Sequence, residues 1–423
     1  MVEPAPGLAE ARWTTVGSIG SPGRAIVDGR GLVTPWPGGW SLDWWIGADD
    51  RWHMAATESG VRQRLVAHSP VVETAMRVPS GDAVQRVYGV PSPDGGVAVV
   101  EIENASPIPF AVALVVRPAN PTGPARVERI AWRDNVVTVD GRTALVFIKP
   151  PARVAASTLD EGDVAEIVTS GAAGTQFPEP LRCKAGRAQA AFIFPLPHTA
   201  VLRVVMPLVS PRPRWWRRGR PRPAFPTALP TALPTAEAVA KGWAVHARTG
   251  MRFDLPPGRL ADAVEANRRF LLLFSDRSAE LPRPGPAPPS AAELQAVLDA
   301  AGPTFTWPPG HNPQAAARFL AMVRDAVVFD RADGLDLCST VADGWAGQAI
   351  EVHDVRTAFG SMSFALRWHG DRPALLWELD RRDANQAVVL RAPGLDPSWS
   401  TTEARGEALL APPVASQRPA SPR

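Results

Sequence analysis

The residues richest in reactive and recognition groups run from Trp36 to His53. Trp36, Trp40, Trp44, Trp45 and Trp52 make up five of the chain's fifteen tryptophans, and they are interleaved with Asp43, Asp49, Asp50 and His53. Sugar rings present C–H faces to aromatic surfaces and hydroxyls to carboxylates, so indoles beside aspartates are what carbohydrate recognition requires. On that chemistry Trp40, Asp43, Trp44, Trp45, Asp49, Asp50 and Trp52 are the candidate ligand-binding residues. The competing account is structural, because large aromatics are heavily buried on average. Exposure separates the two. A binding face leaves at least two of Trp40, Trp44, Trp45 and Trp52 partly open beside a carboxylate, whereas a core buries them with each indole N–H paired internally.

Elsewhere the chemistry is thin. His53 and His68 have no second histidine or cysteine at ligand spacing, so core or solvated histidines are expected and no metal site is assigned. The middle of the chain offers Asp262, Glu265, Asp276, Glu280, Glu293, Asp299 and Asp325. An inverting glycosidase needs two carboxyls ~6.5–9.5 Å apart across a cleft, but most of these carboxylates fall on polar helix faces. No catalytic residue is therefore assigned. No G-x-S-x-G, phosphate loop or dinucleotide fingerprint lies in a suitable strand–helix context, so no cofactor is expected. Arg212 to Arg222, enclosing Trp215 and Trp216, is the one concentrated basic patch and would suit an anionic lipid surface or a nucleic acid. Its prolines exclude an amphipathic helix, which leaves a flexible basic linker.

These groups must be carried by a chain of 423 residues, enough for two to three domains each with its own core. Proline, at 46 residues, is about twice its usual share of ~5%, which argues for edges, turns and linkers. The net charge is only +3, and all but three of the 45 basic residues are arginine. Because the arginines are scattered, no nucleic-acid partner is expected. Cys183 and Cys338 form neither a disulfide framework nor a zinc spacing. The start of the chain has an early acid and no apolar run, and no stretch reaches the ~18–20 apolar residues of a membrane span. The expectation is a cytoplasmic protein without a transmembrane segment.

From about Val16 to Ser210, short apolar runs of period 2 are broken by Gly, Pro and Asp, which predicts a large antiparallel sandwich without helices. Strands are expected at 97–103, 110–116, 127–132, 136–139, 143–148, 190–194 and 199–206. Asp140-Gly141 fits a two-residue type I′ turn, which needs positive φ at both positions. Helical spacing then begins. One helix starts near Gly258 with Leu260, Val264, Leu271 and Phe274 on one face. Another has a Ser290/Glu293 capping box ahead of Leu294, Val297, Leu298 and Ala301. A third opens at Asn312-Pro313 and buries Phe319, Leu320, Val323 and Val327. A weaker helix is expected over 236–249, and Pro282 to Pro289 is a proline-rich break. Beyond these, Phe364, Leu366 and Trp368 face Leu375, Trp377 and Leu379 in a hairpin with one buried side. The predicted organisation is an N-terminal β-supersandwich (1–210), a Pro/Arg-rich linker (211–235), a short helical segment (236–330), a C-terminal β-sandwich-like domain (331–410) and a disordered tail (411–423). The fold class is mainly β with three to four helices.

Several segments resemble actinobacterial six-hairpin glycosidase-like proteins, the superfamily that includes glucoamylase- and trehalase-like enzymes. Gly31-Leu32-Val33-Thr34-Pro35-Trp36 through Trp52-His53, and Ile102-Glu103-Asn104 through Arg117-Pro118, look like its N-terminal supersandwich. Leu260 to Phe274 is similar to the first helix of its catalytic toroid, and Thr306-Trp307-Pro308 with Ala315 to Val328 resembles the return from it. Val352-His353-Asp354 to Glu378, and Ala392-Pro393-Gly394-Leu395, resemble its C-terminal β domain. The departure lies between Phe274 and Thr306, where most of the toroid is missing and neither catalytic carboxylate of the family has a matching position. The resemblance therefore implies a non-catalytic or degenerate glycosidase-like protein, a carbohydrate-binding or interaction scaffold rather than an enzyme. Its implied partners are a glycan or a second copy of the chain. The alternative is an active glycoside hydrolase with a reduced or dimer-assembled site.

Overall fold

The computed structural model describes residues 12–36, 39–92, 96–177, 180–208, 233–248, 250–274, 285–308, 312–342 and 344–412. These form a mainly β protein with five helices among the described residues: α1 (Val164–Thr169), α2 (Ala236–His246), α3 (Arg259–Leu273), α4 (Ala291–Ala300) and α5 (Pro313–Val327). The chain divides into two compact units. One comprises Met1–Trp243 with Leu272–Arg277 and Thr306–His311, and the other Ala244–Leu271, Ser278–Phe305 and Asn312–Arg423. Nearly all of the predicted linker and tail, and part of the Pro282–Pro289 break, lie outside the described residues.

The first unit is the expected sandwich of two antiparallel sheets. In one, the strand Ser41–Gly47 lies between Val33–Trp36 and Phe110–Arg117, with Trp52–Met54 also hydrogen-bonded to it. In the other, Gly81–Val90 and Val97–Ala105 are central. Phe147 of the second sheet meets Phe192 and Phe194 of the first at ring separations of 5.1 Å. At one close approach of the sheets both carry glycine: a Cβ on Gly89 would sit 2.1 Å from the Gly17 backbone, a distance no side chain tolerates. The meander turns by the predicted device, Asp140 and Gly141 having φ of 49° and 72°. Asp134-Asn135, at 49° and 63°, gives the preceding connection the same form.

The outer face of the second sheet holds two contrasting rows. Val71, Tyr88, Val99, Val205 and Val146 form an apolar strip packed against Ala236 and Ala240 of α2. Beside it, Arg64, Glu73, Arg86, Glu101 and Arg203 stand directly opposite one another on five successive strands. Their charges alternate, the favourable cross-strand arrangement. Tyr88 joins the rows, its hydroxyl lying 2.7 Å from Glu101 Oε1 and 2.8 Å from the Pro234 carbonyl.

One element of this unit departs from expectation. The supposedly helix-free sandwich contains α1, capped by Asp163, whose carboxylate accepts from Ala165 N at 2.9 Å. At six residues the helix is too short for an apolar period to register.

In the second unit α4 carries the full capping box and α5 the Asn312 cap with proline in its first turn. Phe319, Leu320, Val323 and Val327 are buried as expected. The core face of α3 is rotated from its predicted position. Ala263, Val264, Ala266, Asn267, Phe270 and Leu273 are buried, whereas Leu260, Leu271 and Phe274 are only partly so. The alanines and Asn267 carry too little hydrophobic signal to mark that side. Asn267 is accommodated by donating to the carbonyls of Ala263 and Phe305, at 2.8 and 3.3 Å. The predicted hairpin forms in register, Phe364 opposite Trp377 and Leu366 opposite Leu375, within a five-stranded sheet. A four-stranded sheet meets it where Trp377 and Trp399 pack edge-on at 5.2 Å. That smaller sheet contains a parallel pair, Gly334–Leu337 with Val389–Ala392.

Candidate functional site

Ser41–Gly47 explains how the tryptophans are distributed. Side chains alternate across a strand, so Trp44 and Trp45 must point to opposite faces of the sheet. Trp44 points into the sandwich and is fully buried, its indole N–H donating to the Arg30 carbonyl at 3.1 Å. It packs so closely that a Cβ on Gly31 would lie 2.7 Å from its Nε1. Trp45 points outward but is covered there. It shares a buried cluster with Val115, Ile193 and the α1 residues Val164 and Val168.

Asp43 stands on the same face as Trp45, two residues before it. Its Oδ2 accepts from Trp45 Nε1 at 2.9 Å and its Oδ1 from Trp44 N at 2.8 Å. Burial pushes this carboxyl up to about 6, against those two hydrogen bonds and the positive charge of Arg117, which act to lower it. Arg117 sits over the Trp45 ring at 5.9 Å and grips Asp163 with both terminal nitrogens, at 2.6 and 2.9 Å. Against the cost of its own burial, that pairing holds the Asp163 carboxyl below the usual carboxylate range. The cap of α1 and the cover over Trp45 are thus one assembly.

The remaining candidates lie at the two ends of the strand. Trp40 is half-buried just before it, and Asp49, Asp50 and Trp52 follow in the connection to Trp52–Met54. At about 3.3 Å per residue, the seven residues of Ser41–Gly47 hold Trp40 roughly 20 Å from that connection. The structure therefore brings Asp49, Asp50 and Trp52 together and sets Trp40 apart from them. Trp52 is half-buried, its ring lying against Gly47 and the edge of the Trp45 cluster, while Asp49 and Asp50 are exposed.

Beneath this loop His53 is buried between two carboxylates. Nε2 lies 2.9 Å from Asp50 Oδ1 and Nδ1 lies 3.2 Å from Glu58 Oε1, which Arg51 also binds at 2.5 Å. The His53 hydrogen bond holds the Asp50 carboxyl low, and Arg51 does the same for Glu58. His53 therefore serves to fix the loop. Beside Asp49 lies a shallow depression lined by Ala48, Pro79, Ser80, Ser106, Ile108 and Phe110. Ile108 stands on its rim, 37% exposed. No local signal marks this neighbour, because most of it comes from connections far from the tryptophans along the chain.

Four of the candidate carboxylates of the helical segment are occupied locally. Glu265 pairs with Arg268 and Arg269, Glu293 closes the capping box, Asp299 accepts from Gln295, and Asp325 accepts from Arg324 and from Gly285 N. Asp276 and Glu280 lie outside the described residues. Among the described residues no helix is long and apolar enough to cross a membrane.

No family model matches this chain, and no curated protein matches it. Among solved structures, a bacterial glucoamylase complexed with acarbose aligns with 47% of this chain and 34% of its own, at a TM-score of 0.32 and 9% identity, so the match spans about a third of that enzyme chain.

Proposed function

We propose that this chain is a non-catalytic, glycosidase-like β scaffold that binds carbohydrate through the loop bearing Asp49, Asp50 and Trp52. The observation that carries the reading is their placement. A half-open indole and two exposed carboxylates stand together on a loop held by His53, Glu58 and Arg51, beside a shallow apolar depression. An indole face and paired acceptors are what the C–H face and hydroxyls of a sugar require. The shallowness of the depression fits a binding surface better than a cleft that excludes water from a reaction.

The non-catalytic part rests on the helical segment. Glycoside hydrolysis needs two carboxyls facing each other across a substrate, one held protonated and one free to act. Glu265, Glu293, Asp299 and Asp325 are instead committed to arginines, a helix cap, the Gln295 amide and a backbone donor. The purified chain should release no glucose from maltose, trehalose or α-glucans, while an oligosaccharide panel should quench its tryptophan fluorescence. Hydrolysis abolished by Glu265→Gln would instead establish a glycoside hydrolase.

A further inference from the structure

In the second unit the short strand Arg252–Asp254 pairs antiparallel with Ile350–Arg356. The register places Asp254 directly opposite Glu351, and Arg252 opposite His353. Residues two apart on a strand share a face, so all four side chains stand on one side of the sheet. Two carboxylates directly across a ladder repel each other. Arg252 binds Asp254 Oδ2 at 3.0 Å and Arg367 binds Glu351 Oε1, which offsets that repulsion from the flanks.

These ion pairs leave His353 unexplained. Its Nε2 lies 3.5 Å from Asp254 Oδ2 and 3.3 Å from Glu351 Oε2. The atom is shielded from solvent, yet it makes no hydrogen bond among the described residues. Its separations exceed the ~2.7–3.2 Å of an N–H···O hydrogen bond. Two ligand atoms each ~2.0–2.2 Å from a tetrahedral zinc ion are, by geometry, about 3.3–3.6 Å apart. Both His353 distances fall in that second range. One ligand atom from each of the three residues lies within 4.8 Å of the other two.

We propose that Asp254, Glu351 and His353 bind a divalent transition-metal ion of the zinc class, through Asp254 Oδ2, Glu351 Oε2 and His353 Nε2, with the remaining position left to water. An imidazole with two carboxylates suits zinc and its neighbours, whereas calcium and magnesium take all-oxygen sets. Arg367 binds the other carboxylate oxygen, Glu351 Oε1, and leaves Oε2 turned toward His353. The same arginine occupies the oxygen that the metal does not need, which orients the carboxylate as an outer-shell partner does. Two flanking arginines and partial exposure weaken the site. The proposal stands independently of the glycan reading.

The test uses the full chain, stripped with a chelator and titrated with zinc chloride near neutral pH by calorimetry, then with cobalt(II) chloride followed by visible absorption. One equivalent of zinc should bind, with cobalt bands of tetrahedral intensity. Asp254→Asn, Glu351→Gln and His353→Ala should each weaken zinc binding by about tenfold or more, and His369→Ala, at an exposed hairpin turn, should leave it unchanged. Zinc uptake that is no greater than in His353→Ala would overturn the proposal and leave an imidazolium held between carboxylates. If a variant proves unstable in a thermal melt, the cobalt spectrum of the unmodified chain decides, and absence of tetrahedral bands also overturns it.

Discussion

Trp44 and Trp45 are adjacent in sequence yet serve opposite faces of one sheet, and both are buried. Asp49, Asp50 and Trp52, a few residues further on, remain at the surface. Composition alone treats these residues as a single aromatic and acidic cluster. The sheet divides them, because a strand with both faces covered can bury two consecutive tryptophans and a hairpin connection has no cover to offer. Trp44 is enclosed by the opposing sheet and Trp45 by α1, which Arg117 and Asp163 hold in place. Of the candidate residues on this hairpin, only those of the loop are left open to solvent.

Truncating each tryptophan in turn separates the strand pair from the loop residue. Trp44→Ala and Trp45→Ala should each cost about 3–5 kcal/mol, the range for a large buried aromatic. Trp52→Ala removes a side chain that is only half-buried and should cost about 1–2 kcal/mol. Urea denaturation of the three variants checks this, and equal losses would mean that the loop tryptophan is as much part of the core as the strand pair.

The next effect concerns pH. The folded-state carboxyl of Asp43 is raised to about 6, so the folded form holds the proton more tightly than the unfolded chain does. The stability it contributes is fully present below the unfolded value of ~3.9 and is lost as pH rises through about 6, by at most about 3 kcal/mol. Asp43→Asn keeps an acceptor for Trp45 Nε1 and removes the ionisation. The difference in stability between wild type and Asp43→Asn should therefore move in the variant's favour between pH 4 and pH 6, measured by denaturation at each pH. A flat difference would place Asp43 in contact with water.

Smaller effects test the supporting elements. Ser290→Ala removes one half of the α4 capping box and should cost about 1 kcal/mol. Gly141→Ala imposes a side chain at φ 72° in the type I′ turn and should cost a similar ~1 kcal/mol. Thermal melts read both, and no change at Gly141 would show that the hairpin tolerates another turn.

Much of this architecture is legible in the residues. Period-2 runs mark the strands of the first unit, Asp140-Gly141 fixes a turn, and Ser290/Glu293 with Asn312-Pro313 fix two helix starts, because each of these signals is local. The rest depends on partners far away in the chain. The cover over Trp45 comes from α1, more than a hundred residues on, and a six-residue helix leaves no periodic trace. The core face of α3 is built from alanines and Asn267, which hydrophobicity does not single out. Glu351 and His353 share a face by simple alternation, but nothing in the sequence pairs their strand with Asp254. The candidate residues Trp40 and Trp52 show the same limit, since proximity along the chain concealed a full strand between them.

If the surface loop binds sugar while the strand beneath it only holds the fold, removing the loop side chains should abolish binding and spare folding. Binding of a soluble oligosaccharide panel is followed calorimetrically for wild type and for Asp49→Ala combined with Trp52→Ala, with folding checked by circular dichroism. Wild type should bind at least one glycan without cleaving it, and the folded double variant should lose that binding. A folded double variant that binds every glycan as wild type does, or a wild type that hydrolyses what it binds, would contradict it.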